Sequence, residues 1–76
     1  MKLKFSLHFQ ERIIERSLNV DHVKAAIRNP DTSEATFEGR RRVTKSIDDK
    51  KIEVVYFNEG FRDRKEEYII ITAYYL

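Results

Sequence analysis

Apolar residues recur along this chain with two different periods, and the change of period divides it into a helical N-terminal part and a β-rich remainder. Ser6 followed by Leu-His-Phe-Gln-Glu-Arg-Ile-Ile-Glu-Arg predicts an N-cap opening a helix over residues 7–17, with Gln10 near the position of a capping-box partner. On a wheel of about 100° per residue, Phe9, Ile13, Ile14 and Leu18 form a broad apolar arc, while Glu11 and Glu15 project from the opposite side. That arc is expected to face a partner layer. Asn19 is placed to cap a second helix over 20–29, in which Val20, Val23 and Ile27 recur on one side with Ala26 among them. Pro30 ends it.

From Ser33 onward the pattern is that of β-structure, with Glu38-Gly39 and Asp48-Asp49 marking turns. Strands are expected near 34–38, 41–47, 52–58 and 67–75. Ile52-Glu-Val-Val-Tyr-Phe and Tyr68-Ile-Ile-Ile-Thr-Ala-Tyr-Tyr are β-branched or aromatic at both parities, which predicts two central strands covered on both faces. The strand at 34–38 is expected at an edge. Between the two apolar strands, Asn58-Glu-Gly-Phe-Arg-Asp-Arg-Lys-Glu-Glu reads as a polar hairpin loop and as the most mobile part of the chain. The expected fold is α+β, with two N-terminal helices packed on a four-stranded antiparallel sheet in a single domain over residues 1–76.

At 76 residues only one core can form, and a homodimer or a tight partner could supply burial that so short a chain lacks. The 41% hydrophobic content is enough for that core and argues against disorder, although 37% of residues are charged. With no cysteine there is neither a disulfide framework nor a thiolate metal site. The opening Met-Lys-Leu-Lys-Phe-Ser turns polar without the apolar stretch of a signal peptide or membrane span, so a cytoplasmic protein with no membrane association is expected. A net charge of +2 with a pI near 9.0 permits nucleic-acid binding without establishing it. Charge distribution therefore matters more than the total.

His8, Arg12 and Arg16 fall at i, i+4 and i+8 on the first helix, forming a ladder about 12 Å long. The ladder borders the apolar arc at Phe9 and Ile13, at the rim where a helix meets its sheet. Guanidinium forks match phosphate oxygens, and an imidazole exchanges protons near neutrality. The plainer account is that Glu11 and Glu15 form surface ion pairs with the arginines. His22, between Asp21 and Lys24, reads as a solvated surface histidine. Arg40-Arg41-Arg42 with Lys45, Lys50 and Lys51 concentrates positive charge in one hairpin. Arg40 and Arg42 point one way and Arg41 the other, so at most part of the cluster forms one phosphate-binding surface; Arg40, Arg42 and Lys45 are the candidate nucleic-acid contacts, and a solubilising edge explains the same residues. On the last strand Tyr68, Ile70, Thr72 and Tyr74 are expected on one face. Neither a metal constellation nor a cofactor loop is present in the sequence.

The run His8-x-x-x-Arg12-x-x-x-Arg16-Ser-Leu-Asn-Val-Asp-His-Val-x-x-Ala26-Ile-x-x-Pro30, then Ile52-Glu-Val-Val-Tyr and Ile70-Ile-Thr72-Ala-Tyr74, resembles the family catalogued as domain of unknown function 4258. The resemblance covers nearly the whole chain. That family has been grouped with the barnase–EndoU–colicin–RelE fold of metal-independent ribonucleases, which includes toxins of toxin–antitoxin pairs. The resemblance implies a RelE/barnase-like fold and a toxin-like endoribonuclease, or an RNA-binding relative, that needs no metal or cofactor. His8 would then be the acid/base group, Arg12 and Arg16 would bind the scissile phosphate, and Thr72 and Tyr74 would complete the site. A base would take the 2′-hydroxyl proton and the oxygen would attack the adjacent phosphorus. Since one histidine does not easily serve as both base and acid, Tyr74, Lys45 or the substrate would assist. RNA and an antitoxin-like protein are the implied partners. The competing expectations are a non-catalytic module whose cationic stripe docks an acidic protein, and a structural homodimer formed through an edge strand.

Overall fold

A computed structural model describes residues 2–5, 7–58 and 67–76, apart from the side chains of His8 and Phe37. Ser6, the expected helix cap, and residues 59–66 of the expected hairpin loop lie outside the described residues. The elements run β1 (Lys2–Phe5), α1 (Leu7–Glu15), α2 (Val20–Arg28), β2 (Thr32–Ala35), a 3-10 turn (Phe37–Gly39), β3 (Arg40–Ile47), β4 (Lys50–Asn58) and β5 (Glu67–Tyr75).

Local chemistry accounts for the helix ends. Asn19 is extended and its side chain accepts the Asp21 N–H at 2.8 Å, capping α2. At the far end the Asn29 N–H reaches Ala25 O, and Pro30 has no N–H with which to continue. α1 closes in a Schellman turn: Leu18 N–H donates to Ile13 O at 3.0 Å and Ser17 N–H to Ile14 O at 3.2 Å. Ser17 takes the left-handed conformation this turn requires (φ 52°), and Leu18 is returned to the core. Arg16 is thereby left as the C-cap of α1.

The sheet is mixed, with strand order β1-β5-β4-β3-β2, rather than four-stranded and antiparallel as expected. The additional strand is β1, which pairs parallel with β5 from Lys2↔Glu67 to Phe5↔Ile70, whereas the other neighbours are antiparallel. Lys2-Leu3-Lys4-Phe5 does alternate polar and apolar residues, a strand signal that sequence reasoning passed over, and its partner lies at the other end of the chain. β2 covers Thr32–Ala35 rather than 34–38, because Glu38 and Gly39 both have positive φ and reverse the chain into β3. A Cβ at Gly39 would lie 3.1 Å from Phe57 Cε1, so the Phe57 ring and the left-handed backbone both select glycine there.

Phe9, Leu18, Val23, Ala26 and Ile27 of the helical half form one core with Val43, Ile52, Val54, Tyr56, Ile70 and Ala73 of the sheet. Both helices therefore cover the same face. No helix covers the opposite face among the described residues, so β4 and β5 are covered on one side and not on both. Val55, Phe57 and Ile69 are half-buried on that bare face. Ile14 also departs from expectation: it is 81% exposed, as is Leu7, because the nine-residue α1 presents only a narrow stripe at Phe9 and Ile13 to the core.

Candidate functional site at the open edge of the last strand

Two changes coincide in the middle of β5. Pairing with β1 stops at Phe5↔Ile70, so among the described residues that edge of β5 has no strand neighbour from Ile71 onward. The register with β4 shifts at the same point, from Val55↔Thr72 to Tyr56↔Ile70, so Ile71 is an extra residue in a β-bulge. The bulge reverses the alternation. Tyr68 and Ile70 turn toward the helices, and Thr72 and Tyr74 turn to the bare face. The expectation that all four share one face is corrected by that one inserted residue.

Arg16 reaches this edge from the end of α1. Its Nη1 donates to Ala73 O at 2.9 Å and lies 3.4 Å from Thr72 Oγ1, and its guanidinium carbon is 5.9 Å from the centre of the Tyr74 ring. The bond to the Ala73 carbonyl is the stronger, since 3.4 Å is long for a hydrogen bond. A cation at a helix C-terminus is also favoured by the macrodipole. Arg16, Thr72 and Tyr74 are thus brought together by a helix cap, an edge that ends early and a bulge.

Tyr74 continues the site across the bare face. It pairs with Glu53 in the ladder, and its hydroxyl donates to Glu53 Oε2. That hydrogen bond, followed by burial and the carboxylate's charge, raises the Tyr74 pKa above the ordinary 10.0, against the opposing pull of Arg42 and Arg16. Two strands further on, Arg42 Nε donates to Glu34 Oε1 at 2.8 Å and Nη2 bonds the same oxygen. This pairing raises the Arg42 pKa. Tyr74, Glu53, Arg42 and Glu34 form a polar row running from β5 to β2.

The phenol has a testable linkage. A tyrosine whose folded pKa is raised holds its proton more tightly folded than unfolded. Its contribution to stability is complete below pH 10.0 and is lost as pH rises through the folded value. Glu53→Gln should move Tyr74 ionisation down toward 10.0 and shrink that alkaline loss, read from phenolate absorbance and urea midpoints. A Tyr74→Phe reference removes the background from Tyr56, which burial also raises. An unchanged titration in Glu53→Gln would show that the carboxylate does not hold the phenol.

The remaining candidates are dispersed. Arg12 donates through Nη1 to Glu15 at 3.0 Å. His8 lies in the first turn of α1, and its side chain is outside the described residues. Arg40 stands 3.9 Å from Glu38, and Arg41 donates to Ser33 Oγ at 2.9 Å. Lys45 donates to Asn29 O at 2.9 Å, at the C-terminus of α2 and on the helix-covered side, which separates it from Arg40 and Arg42. His22 is half-buried with Nδ1 2.9 Å from the Tyr75 hydroxyl, which also accepts the Asn19 N–H, so it is not simply solvated. Sequence reasoning missed Glu53 and the Ala73 carbonyl. A lone carboxylate in the run Ile-Glu-Val-Val-Tyr was a signal for the first, and the second carries none.

Among the described residues, no group of three or more His, Cys, Asp or Glu side chains could hold a metal ion, and no helix is long and apolar enough to cross a membrane. No curated protein and no solved structure matches the chain. The model of the Domain of unknown function family (DUF4258) matches residues 5–75, spanning α1 with its Arg16 cap and the whole of β5, and the chain belongs to that family.

Proposed function

We propose that this protein is a toxin-like, metal-independent endoribonuclease, or an RNA-binding relative of one, with a RelE/barnase-like fold and an antitoxin-like protein as its mate. The observation that carries the reading is the convergence of the Arg16 guanidinium on Thr72 and Tyr74 at the open edge of β5. Both Arg16 hydrogen bonds use Nη1, so Nε and Nη2 remain for phosphate oxygens among the described residues. Fixing one nitrogen on Ala73 O orients the fork before any ligand arrives. His8, one helical ladder away, takes the 2′-hydroxyl proton, and the oxygen attacks phosphorus as the bond to the 5′-oxygen breaks. Tyr74, kept protonated beside Glu53, supplies a proton to that leaving oxygen. Arg16 and the Thr72 hydroxyl stabilise charge on the phosphoryl oxygens.

The second reading is a non-catalytic module that binds an acidic protein partner. In that reading the cationic stripe docks the partner or merely supports the fold, and the use of Arg16 on a backbone carbonyl and of Arg12 on Glu15 favours the supporting role.

Incubating the purified protein with total RNA in chelator separates the two. Cleavage by wild type that disappears in His8→Ala supports the enzyme, and equal cleavage by both marks a contaminant and rejects it. RNA affinity should fall steeply with salt as phosphates are neutralised. A flat salt response, or neither binding nor cleavage, leaves the acidic-partner reading.

A further inference from the structure

We infer that the outward face of α1 docks a partner protein through an amphipathic helix that carries lysine or arginine beside an aliphatic seam. The core-facing side of α1 is occupied, with Phe9 1% exposed and Ile13 packed against the core. Its other side presents Leu7 and Ile14, each 81% exposed. Seven residues apart, they lie on one stripe about 10.5 Å long. Single exposed aliphatics are ordinary on a protein surface. Two on one short helix, spaced as in a coiled-coil seam, are suited to a facing helix.

Charge selects the occupant. Glu11 lies beside the stripe between its two apolar residues, is exposed, and makes no ion pair among the described residues. Glu15 follows one turn later and holds Arg12. In a two-fold pairing of α1 with a second copy, Leu7 would meet the other Ile14, but the two Glu11 carboxylates would face each other across the axis. Like charges so placed repel. Glu11 thus carries the uncompensated charge beside the stripe among the described residues, the Glu15 charge being met by Arg12, and a cationic partner satisfies Glu11 where a second copy does not. This surface is on the side of α1 away from the sheet and is distinct from the Arg16 edge, so it stands whether or not the protein acts on RNA.

The test is fluorescence anisotropy with a synthetic helical peptide bearing a leucine seam flanked by lysines, and a matched peptide with glutamate in place of lysine. The lysine peptide should bind saturably, and the glutamate peptide more weakly. Replacing both anchors (Leu7→Ser with Ile14→Ser) should weaken binding by at least about tenfold, and Glu11→Lys by roughly two- to fivefold. Circular dichroism should be unchanged, because neither anchor reaches the core. No saturable binding, or equal binding of the two peptides, overturns the proposal. So does a concentration-dependent dimer in light scattering that the double variant abolishes, since the occupant would then be a second copy.

Discussion

If the proposed endoribonuclease reading holds, replacing Arg16 with alanine is expected to reduce RNA cleavage by on the order of 10²–10³-fold, the usual consequence of removing one preorganised donor aimed at developing charge. The effect should be large because Arg16 is held in place at three points: the Schellman turn that makes it the C-cap, the Ala73 carbonyl at 2.9 Å, and the face of Tyr74. Arg16→Lys should recover only part of the activity. An ammonium can reach the carbonyl, but it lacks the second and third nitrogens of the fork. Some of the loss in Arg16→Ala is structural, since a charge-assisted hydrogen bond contributes about 1.5–3 kcal/mol. Activity should therefore be compared where urea titration shows both proteins folded. Thr72→Val provides the companion measurement: it removes the hydroxyl near Arg16 and leaves the Ala73 carbonyl bond, so it should lower cleavage with little change in stability. A folded Arg16→Ala protein that cleaves RNA like wild type would remove the edge of β5 from the proposed mechanism.

Phe9→Ala should cost about 3–5 kcal/mol of folding stability, read as a shift of the urea midpoint. Phe9 is 1% exposed and its ring stacks on Phe5 with centroids 5.6 Å apart. The pair ties α1 to β1, and β1 to the sheet through β5. At about 0.05–0.15 kcal/mol per residue, a chain of 76 residues has little stability to spare, so the variant should be partly unfolded in mild denaturant. Ile14→Ala is the control, because an 81% exposed side chain should change stability by no more than about 0.5 kcal/mol. Equal losses from the two substitutions would show that α1 does not pack through Phe9. The contrast matters for function as well, because Phe9 sets the rotation of the helix that carries His8 and Arg16.

Cationic residues that look alike in sequence take separate roles in the fold. Arg16 binds a carbonyl and faces Thr72, Arg12 pairs with Glu15, Arg42 pairs with Glu34, and Lys45 meets the end of α2. Spacing on a helix or strand specifies the side from which a group projects. It does not specify what that group meets there.

By itself the sequence determined the features that arise within a few residues. Asn19 and Pro30 bound α2 because capping and the missing N–H act locally, and the chain turns at Glu38-Gly39 because Gly39 takes left-handed backbone without steric cost. β-branched runs mark β4 and β5 for the same reason. Only the tertiary structure decided that β1 lies beside β5, that Ile71 bulges, and that Arg16, Thr72, Tyr74 and Glu53 share one edge and face. These depend on pairings between the two ends of the chain, where a shift of one residue sends a side chain to the opposite face of the sheet, and no local preference encodes that register.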